Sequence, residues 1–157
     1  IQVSDEHAYT EQVQNVLRGA IGALGPGGGR PRVLLSTLPG EEHILGLLMV
    51  EATLASEGAA CLSLGTRTPL VDLCRAATDN GFDVVGVSFS AAYPARQAID
   101  RLQELRALLP PEIALWAGGA AVRGKQKRLP GVRVVADLDD ALQALAEWRT
   151  AHGPAPA

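Results

Sequence analysis

The chain has 157 residues, of which 47% are hydrophobic, and a net charge of −3. This suits one domain with a small appendage. No apolar run is as long as a membrane span and no secretory signal is visible, which excludes a membrane protein. The net negative charge argues against nucleic-acid binding by the chain as a whole. Cys61 and Cys74 share no metal-binding spacing, which favours the cytoplasm, and the first residue, Ile1, suggests a fragment or processed chain.

The first part of the chain predicts a helix followed by a linker. Between Ser4 and Leu24 the apolar residues recur with helical spacing, and Ser4 is followed by acidic residues that suit the positive end of a helix dipole. The apolar residues that share this helix face are Val13, Val16, Leu17, Ala20, Ile21 and Leu24. An isolated helix of this kind needs a partner for its apolar face. Residues 25–31 are rich in Gly and Pro and predict a flexible linker, and residues 153–157 predict a disordered tail.

Short apolar runs alternate with helical segments through residues 32–152, which predicts a single domain. The predicted strands are Val33–Ser36, Ala60–Leu64, Val84–Ser88, Ile113–Ala117 and Val132–Ala136, and the predicted helices are Leu45–Glu57, Leu70–Asn80, Ala95–Leu109, Ala121–Arg128 and Leu138–Thr150. Five such units indicate an α/β fold with a doubly wound parallel sheet, because near-continuous apolar strands are buried on both faces. We expect the flavodoxin-like order 2-1-3-4-5, with ligands at the carboxyl ends of strands 1 and 3.

Three short motifs follow strands of this predicted sheet. They are Glu41–Gly46 after the first strand, Ser88–Ser90 after the third, and Gly118-Gly119 after the fourth. Each alone has an ordinary structural explanation, such as a surface histidine, a capping serine or a tight glycine turn. The fold would bring all three to one edge of the sheet, and that edge is where we expect a ligand.

The motifs and their spacing resemble the cobalamin-binding module with the pattern Asp-x-His-x-x-Gly, then Ser-x-Leu, then Gly-Gly. Positions 47 to 87, 41 residues, separate the first motif from the second, and positions 91 to 117, 27 residues, separate the second from the third. The resemblance covers nearly all of the chain after the linker. It implies that His43 is the lower axial ligand of cobalt, displacing the cofactor's dimethylbenzimidazole base, as suits an imidazole nitrogen and a transition metal.

The resemblance also implies roles for the neighbours of His43. Glu41 would hydrogen-bond the second ring nitrogen of the histidine and fix its orientation. The other residues that the resemblance places at the cofactor or its nucleotide tail are Glu42, Ile44, Gly46, Thr68, Ser88, Ser90, Gly118 and Gly119, with Pro69 beside Thr68 in the tail channel. Two residues depart from the pattern. Glu41 replaces the usual Asp and is one methylene longer, and Ser90 replaces the usual Leu, so the channel is expected to be more polar there.

The first helix resembles a cap helix of CarH-type light-responsive transcriptional regulators of the MerR family. The matching residues are Glu6-His7 with Val3 one turn earlier, and Leu115–Gly119 and the segment around Trp148 are similar as well. In that group a helical bundle covers the upper face of adenosylcobalamin, so residues 1–24 would be the last helix of such a cap. The alternative explanation of Glu6-His7 is a charged, solvated first helical turn.

The resemblance implies a sensory module in which light breaks the cobalt–carbon bond of adenosylcobalamin and thereby rearranges the cap and a homo-oligomer. Such a module is not an enzyme, and DNA would be bound only through an N-terminal domain outside this chain. The alternative is an enzyme component, either a corrinoid methyl carrier or the cobalamin subunit of a mutase. A third possibility is a flavodoxin-like domain that has lost cobalamin.

Two other features of the sequence have structural explanations. Trp116 and Trp148 are expected to be core aromatics. The basic run between Arg123 and Arg133 is expected to form a solvated helix rather than a phosphate or DNA contact.

Overall fold

The computed structural model describes residues 29–153. They form a five-stranded parallel sheet in the order β2-β1-β3-β4-β5, which confirms the predicted α/β fold. The strands are β1 (Arg32–Ser36), β2 (Ala60–Ser63), β3 (Val84–Ser88), β4 (Ala114–Gly118) and β5 (Val132–Val135). The helices are α1 (Leu45–Ser56), α2 (Leu70–Asp79), α3 (Ala95–Leu108) and α4 (Leu138–His152). The predicted helix between Ser4 and Leu24, with Val3, Glu6 and His7, lies outside the described residues.

The helices cover the two faces of the sheet in pairs. Helices α2 and α3 pack against one face, where alternate strand residues such as Leu34, Val85 and Leu115 enter a large apolar cluster. Helices α1 and α4 pack against the opposite face, and the cluster there includes Leu35 and Trp116. Successive residues of a strand point to opposite faces, so each central strand supplies both clusters and is apolar at nearly every position.

One predicted element is wrong. The segment expected to form a helix over Ala121–Arg128 instead forms two 3₁₀ turns, Ala120–Val122 and Gln126–Arg128. Gly124 lies between them with φ of 76°, a left-handed conformation that no right-handed helix can contain. The other predicted strands and helices in the described range agree with the structure to within two residues at each end.

The second of these turns lies beside the outer edge of β5. The Gln126 side-chain amide donates a hydrogen bond to the Val132 carbonyl at 2.6 Å, and its carbonyl oxygen accepts one from the Val134 N–H at 2.8 Å. These are the two backbone groups that a further strand would have used. Gln126 therefore occupies part of the free edge of the sheet.

The last residues of the predicted linker contact the domain. The Arg149 guanidinium of α4 donates to the Arg30 carbonyl at 2.9 Å and to the Glu57 carbonyl at 2.8 Å. The Arg30 guanidinium lies 5.2 Å from the centre of the Trp148 ring. The chain therefore enters β1 from a point held against α4. No helix within residues 29–153 is long and apolar enough to cross a membrane.

Candidate functional site

A buried carboxylate organises the loop between β1 and α1. The Glu41 side chain is 1% exposed and accepts four hydrogen bonds: from the Ser90 N–H, from the Ser90 hydroxyl at 2.9 Å, and from the N–H and ring nitrogen of His43, both at 3.1 Å. Burial alone would raise the pKa of Glu41, but these hydrogen bonds outweigh it, and the pKa lies below the ordinary value of 4.5. The carboxylate is therefore ionised at neutral pH and accepts hydrogen bonds only.

His43 is held by this carboxylate with its second nitrogen left open. Nδ1 lies 3.1 Å from Glu41 Oε2 and 3.3 Å from the Ser90 hydroxyl oxygen, while the side chain as a whole is 68% exposed. Because an ionised carboxylate can only accept, the proton of the neutral ring belongs on Nδ1 and the lone pair on Nε2. Within the described residues Nε2 has no hydrogen-bond partner. The loop thus presents an oriented imidazole lone pair at the carboxyl edge of the sheet.

A buried polar network supports this loop from below. Thr37 donates to the Glu41 carbonyl at 3.2 Å and accepts from the Arg67 N–H at 2.9 Å. Ser36 donates to the Thr68 hydroxyl at 2.6 Å, and both side chains are fully buried. Thr68 was expected to line a ligand channel, but the structure places it in this network because the β2–α2 loop folds back onto the end of β1. Among the described residues it holds the loop in place rather than lining the cavity.

A cavity opens beside the His43 loop, between the sheet and helices α1 and α4. It encloses about 200 Å³, far more than the roughly 10–15 Å³ that a single water molecule needs, so its size suits an organic ligand. It is lined by Leu35, Gly46, Leu47, Met49, Val50, Gly86, Val87, Ser88, Trp116, Ala117, Gly118, Gly119, Val135, Ala136, Asp137, Leu138 and Ala141. Most of these residues are apolar, and the polar ones lie towards the carboxyl edge.

The cavity borders a row of the sheet in which a glycine stands between two large residues. Leu35, Gly86 and Trp116 are in register on β1, β3 and β4 and face α1 and α4. A methyl group at Gly86 would lie 2.6 Å from Leu35 Cδ2, so even alanine would require Leu35 to move. The neighbouring row on the opposite face carries Val85 at the corresponding position of β3 and is filled.

The predicted glycines and Ser88 meet at the mouth of this cavity. A methyl group at Gly46 would lie 3.7 Å from the Ser88 hydroxyl oxygen and narrow the gap between α1 and β3. Gly118 pairs with Ser88 across the strands, and both line the cavity. The Ser88 hydroxyl has no hydrogen-bond partner among residues 29–153. The backbone also requires a glycine at position 119, because φ there is 99° and a Cβ would lie 2.1 Å from the Phe89 carbonyl oxygen.

The remaining predicted site residues, Ser90, Glu42 and Ile44, do not line the cavity. Ser90 was expected to make the channel more polar, but it points towards Glu41 and His43 and does not line the cavity. Glu42 is exposed, 3.6 Å from an Arg67 guanidinium nitrogen. Ile44 is half-buried at the start of α1.

Gly86 and Trp116 are two of the cavity residues that the sequence did not single out. Gly86 looks like any glycine within an apolar strand, although a glycine in a strand interior often marks a close approach or a gap. Trp116 was expected to be a core aromatic, and it is buried as expected, but it also forms one wall of the cavity. A strand-by-strand alignment of β1, β3 and β4 would have placed the glycine between Leu35 and Trp116.

Comparisons with known proteins identify the family of this domain. A sequence model described as the B12 binding domain matches residues 31–146. The chain is 36% identical over 126 residues to the HTH-type transcriptional repressor CarH of Myxococcus xanthus and 31% identical over 121 residues to the repressor CarA of the same organism. These alignments cover 80% and 76% of this chain, but the chain spans only 42% of the length of each repressor.

The fold is also similar to a solved structure. It superposes on a cobalamin-binding protein from Desulfitobacterium hafniense DCB-2 with a TM-score of 0.67 and 18% identity. The superposition covers 88% of this chain and 69% of that one. At 18% identity this comparison shows similarity of the fold alone.

Proposed function

The chain belongs to the B12-binding domain family, and we propose that it is the sensory module of a light-responsive transcriptional regulator that holds adenosylcobalamin through His43. The cofactor would be bound with its own lower base displaced. His43 would then be the lower axial ligand of cobalt. The module would have no enzymatic activity of its own.

The observation that best supports cobalt ligation by His43 is the hydrogen bonding of its imidazole ring. Glu41 accepts a hydrogen bond from the Nδ1–H group, which leaves the Nε2 lone pair without a partner among the described residues. An imidazole lone pair is a suitable donor to cobalt, and a carboxylate on the other nitrogen fixes the tautomer and the orientation of the ring. Ser90 holds Glu41 by its N–H and its hydroxyl, so the ligand is positioned before any metal arrives.

The cavity supports the displaced-base arrangement. A lower base that leaves cobalt needs a site of its own, and the space beside the His43 loop is lined by apolar residues with glycines at its mouth. Gly46, Gly86 and Gly118 line this space and would leave room there for the nucleotide tail. Residues on α1 and α4 would exclude water from the buried base.

The regulatory role is supported by the similarity to the two repressors of Myxococcus xanthus. Adenosylcobalamin supplies a cobalt–carbon bond that light breaks, and a ligand change of that kind acts on a two-state assembly. Val3, Glu6 and His7 would contact the upper face of the cofactor from a cap helix. The assembly would be a cytoplasmic homo-oligomer that binds DNA through an N-terminal domain outside this sequence.

The proposed light response is tested by reconstituting the protein with adenosylcobalamin in the dark. Its absorption spectrum and its size by gel filtration are then measured before and after green light. We expect a persistent spectral change together with a change in oligomeric state. A cofactor that binds but leaves the oligomeric state unaltered after illumination would contradict the sensory role and favour a methyl carrier or mutase subunit.

His43 ligation is tested separately with His43→Ala, using His152→Ala as the control. His152 lies at the far end of α4, where its ring stacks on Trp148. We expect His43→Ala to lose the spectrum of the histidine-ligated cofactor and to bind cobalamin about ten-fold or more weakly, while His152→Ala keeps both. Equal affinity and spectrum in the two variants would exclude His43 as the ligand.

A further inference from the structure

The inner end of the cavity differs in chemistry from its mouth. Its mouth, at the carboxyl edge, contains the Ser88 hydroxyl, the backbone of Gly118 and Gly119, and the Asp137 carboxylate that caps α4. The inner end is formed by the sheet row Leu35, Gly86 and Trp116, which on β3 and β4 lies two residues before Ser88 and Gly118, and by the helix residues that line the cavity beside it. Its side chains are those of Leu35, Leu47, Val50, Trp116 and Ala141, around Gly86.

The only hydrogen-bonding group among these five side chains is the indole N–H of Trp116. Leu35, Leu47, Val50 and Ala141 carry no polar side-chain atom, and the Trp116 indole can only donate. The strand carbonyls in this region belong to the parallel ladders that join β1, β3 and β4. A buried amino group at the inner end would therefore find no side-chain acceptor, and an unpaired buried donor is costly.

We infer that this cavity selects among corrinoids by their lower base, accepting an apolar benzimidazole and discriminating against a purine with an exocyclic amine. A displaced benzimidazole has one free ring nitrogen, an acceptor that the Ser88 hydroxyl or the Trp116 N–H can serve. Adenine has further ring nitrogens and an amine with two hydrogens. The inference rests on the proposed function, since it requires the lower base to leave cobalt and enter the cavity.

The selectivity is measured by titrating the protein in the dark with three adenosylated corrinoids. These are adenosylcobalamin, the analogue with adenine as its lower base, and adenosylcobinamide, which has no lower base. We expect dissociation constants that rise in this order, with the adenine analogue at least about five-fold weaker than adenosylcobalamin because one buried donor is left unpaired. A smaller difference, or tighter binding of the adenine analogue, overturns the inference.

The three ligands also separate this inference from the proposed function. If none of them gives a His43-dependent spectrum, the proposed function fails. If all three give that spectrum with equal affinity, His43 ligation stands and the selectivity is wrong.

A pair of variants tests the assigned position. Val50→Thr keeps the shape of the side chain and adds a hydroxyl at the inner end, so we expect the preference for adenosylcobalamin over the adenine analogue to shrink by about three-fold or more. Val71→Thr makes the same change on α2, where Val71 is exposed, and leaves the ratio unchanged. Equal ratios in both variants would show that the inner cavity does not discriminate between the bases.

Discussion

The two faces of the sheet are built from similar residues, yet one is filled and the other is hollow. On the face covered by α2 and α3, the row Leu34, Val85 and Leu115 is almost completely inaccessible to solvent. On the face covered by α1 and α4, the next row is Leu35, Gly86 and Trp116, and it borders a cavity of about 200 Å³. The main difference between the rows is the residue of the central strand β3.

This difference connects the filled face mainly with stability and the hollow face mainly with ligand binding. A filled face contributes dispersion contacts and apolar burial, while a hollow face gives up part of both to leave room for a ligand. The packed face can supply most of the stability of the domain before any cofactor arrives. The hollow face is then free to carry the glycines that a binding site needs.

The largest expected effect comes from truncating neighbouring residues of β1 that face opposite sides. Leu34→Ala would leave a new void in a filled cluster, and we expect it to lower the free energy of unfolding by about 3–5 kcal/mol. Leu35→Ala enlarges a space that already exists, and we expect a loss of about 2 kcal/mol. Urea unfolding of the two variants measures the difference. Equal losses would mean that the cavity is closed in solution.

A second pair of variants has opposite effects. One weakens cobalamin binding and leaves the stability nearly unchanged, and the other lowers the stability and leaves binding nearly unchanged. Gly86→Ala places a methyl group 2.6 Å from Leu35 Cδ2, which forces Leu35 into the cavity. We expect cobalamin to bind about ten-fold more weakly, with the free energy of unfolding changed by less than about 1 kcal/mol. The adjacent Val85→Ala faces the filled side and should cost about 1–3 kcal/mol of stability while affinity stays within about two-fold. Cobalamin titration and urea unfolding of both variants measure these two effects.

The filled face was more predictable from sequence than the hollow one. Apolar periodicity placed every strand and the helices α1 to α4, because burial on both sides of a parallel sheet leaves a strong local signal. The turn at Gly124 was missed, since a positive φ leaves little trace in the apolar pattern. Gly86 was missed because its meaning depends on Leu35 and Trp116, which are distant in sequence and adjacent only in the sheet.

The loop above the cavity was predictable in part. The resemblance to the cobalamin-binding module implied a contact between Glu41 and His43, and the structure contains it. The place of Ser90 was not foreseen. The longer side chain of Glu41 reaches the start of the loop after β3, where it accepts from both the N–H and the hydroxyl of Ser90. Thr68 lies in the buried network beneath this loop, and the motif does not reveal how the β2–α2 loop packs under Thr37.

The smallest expected effect is a pH dependence of stability that comes from Glu41 in the loop above the cavity. The folded-state pKa of Glu41 lies below its ordinary value of 4.5. Its contribution to stability is therefore fully present above pH 4.5 and is lost as the pH falls from there through the folded-state pKa. We expect thermal unfolding of Glu41→Gln to depend less on pH below 4.5 than that of the natural protein. A Glu41→Gln profile that matches that of the natural protein below pH 4.5 would contradict this contribution of the carboxylate.

The Gln126 side chain limits the ways in which copies of this domain can associate. An unpaired strand edge invites a second molecule to continue the sheet, which is a common origin of aggregates and swapped dimers. At β5 the amide already satisfies the Val132 carbonyl and the Val134 N–H, so a neighbouring strand would have to displace it. Any regulated assembly at this end of the molecule is therefore directed to helices and loops, whose contacts can form and dissolve without extending the sheet.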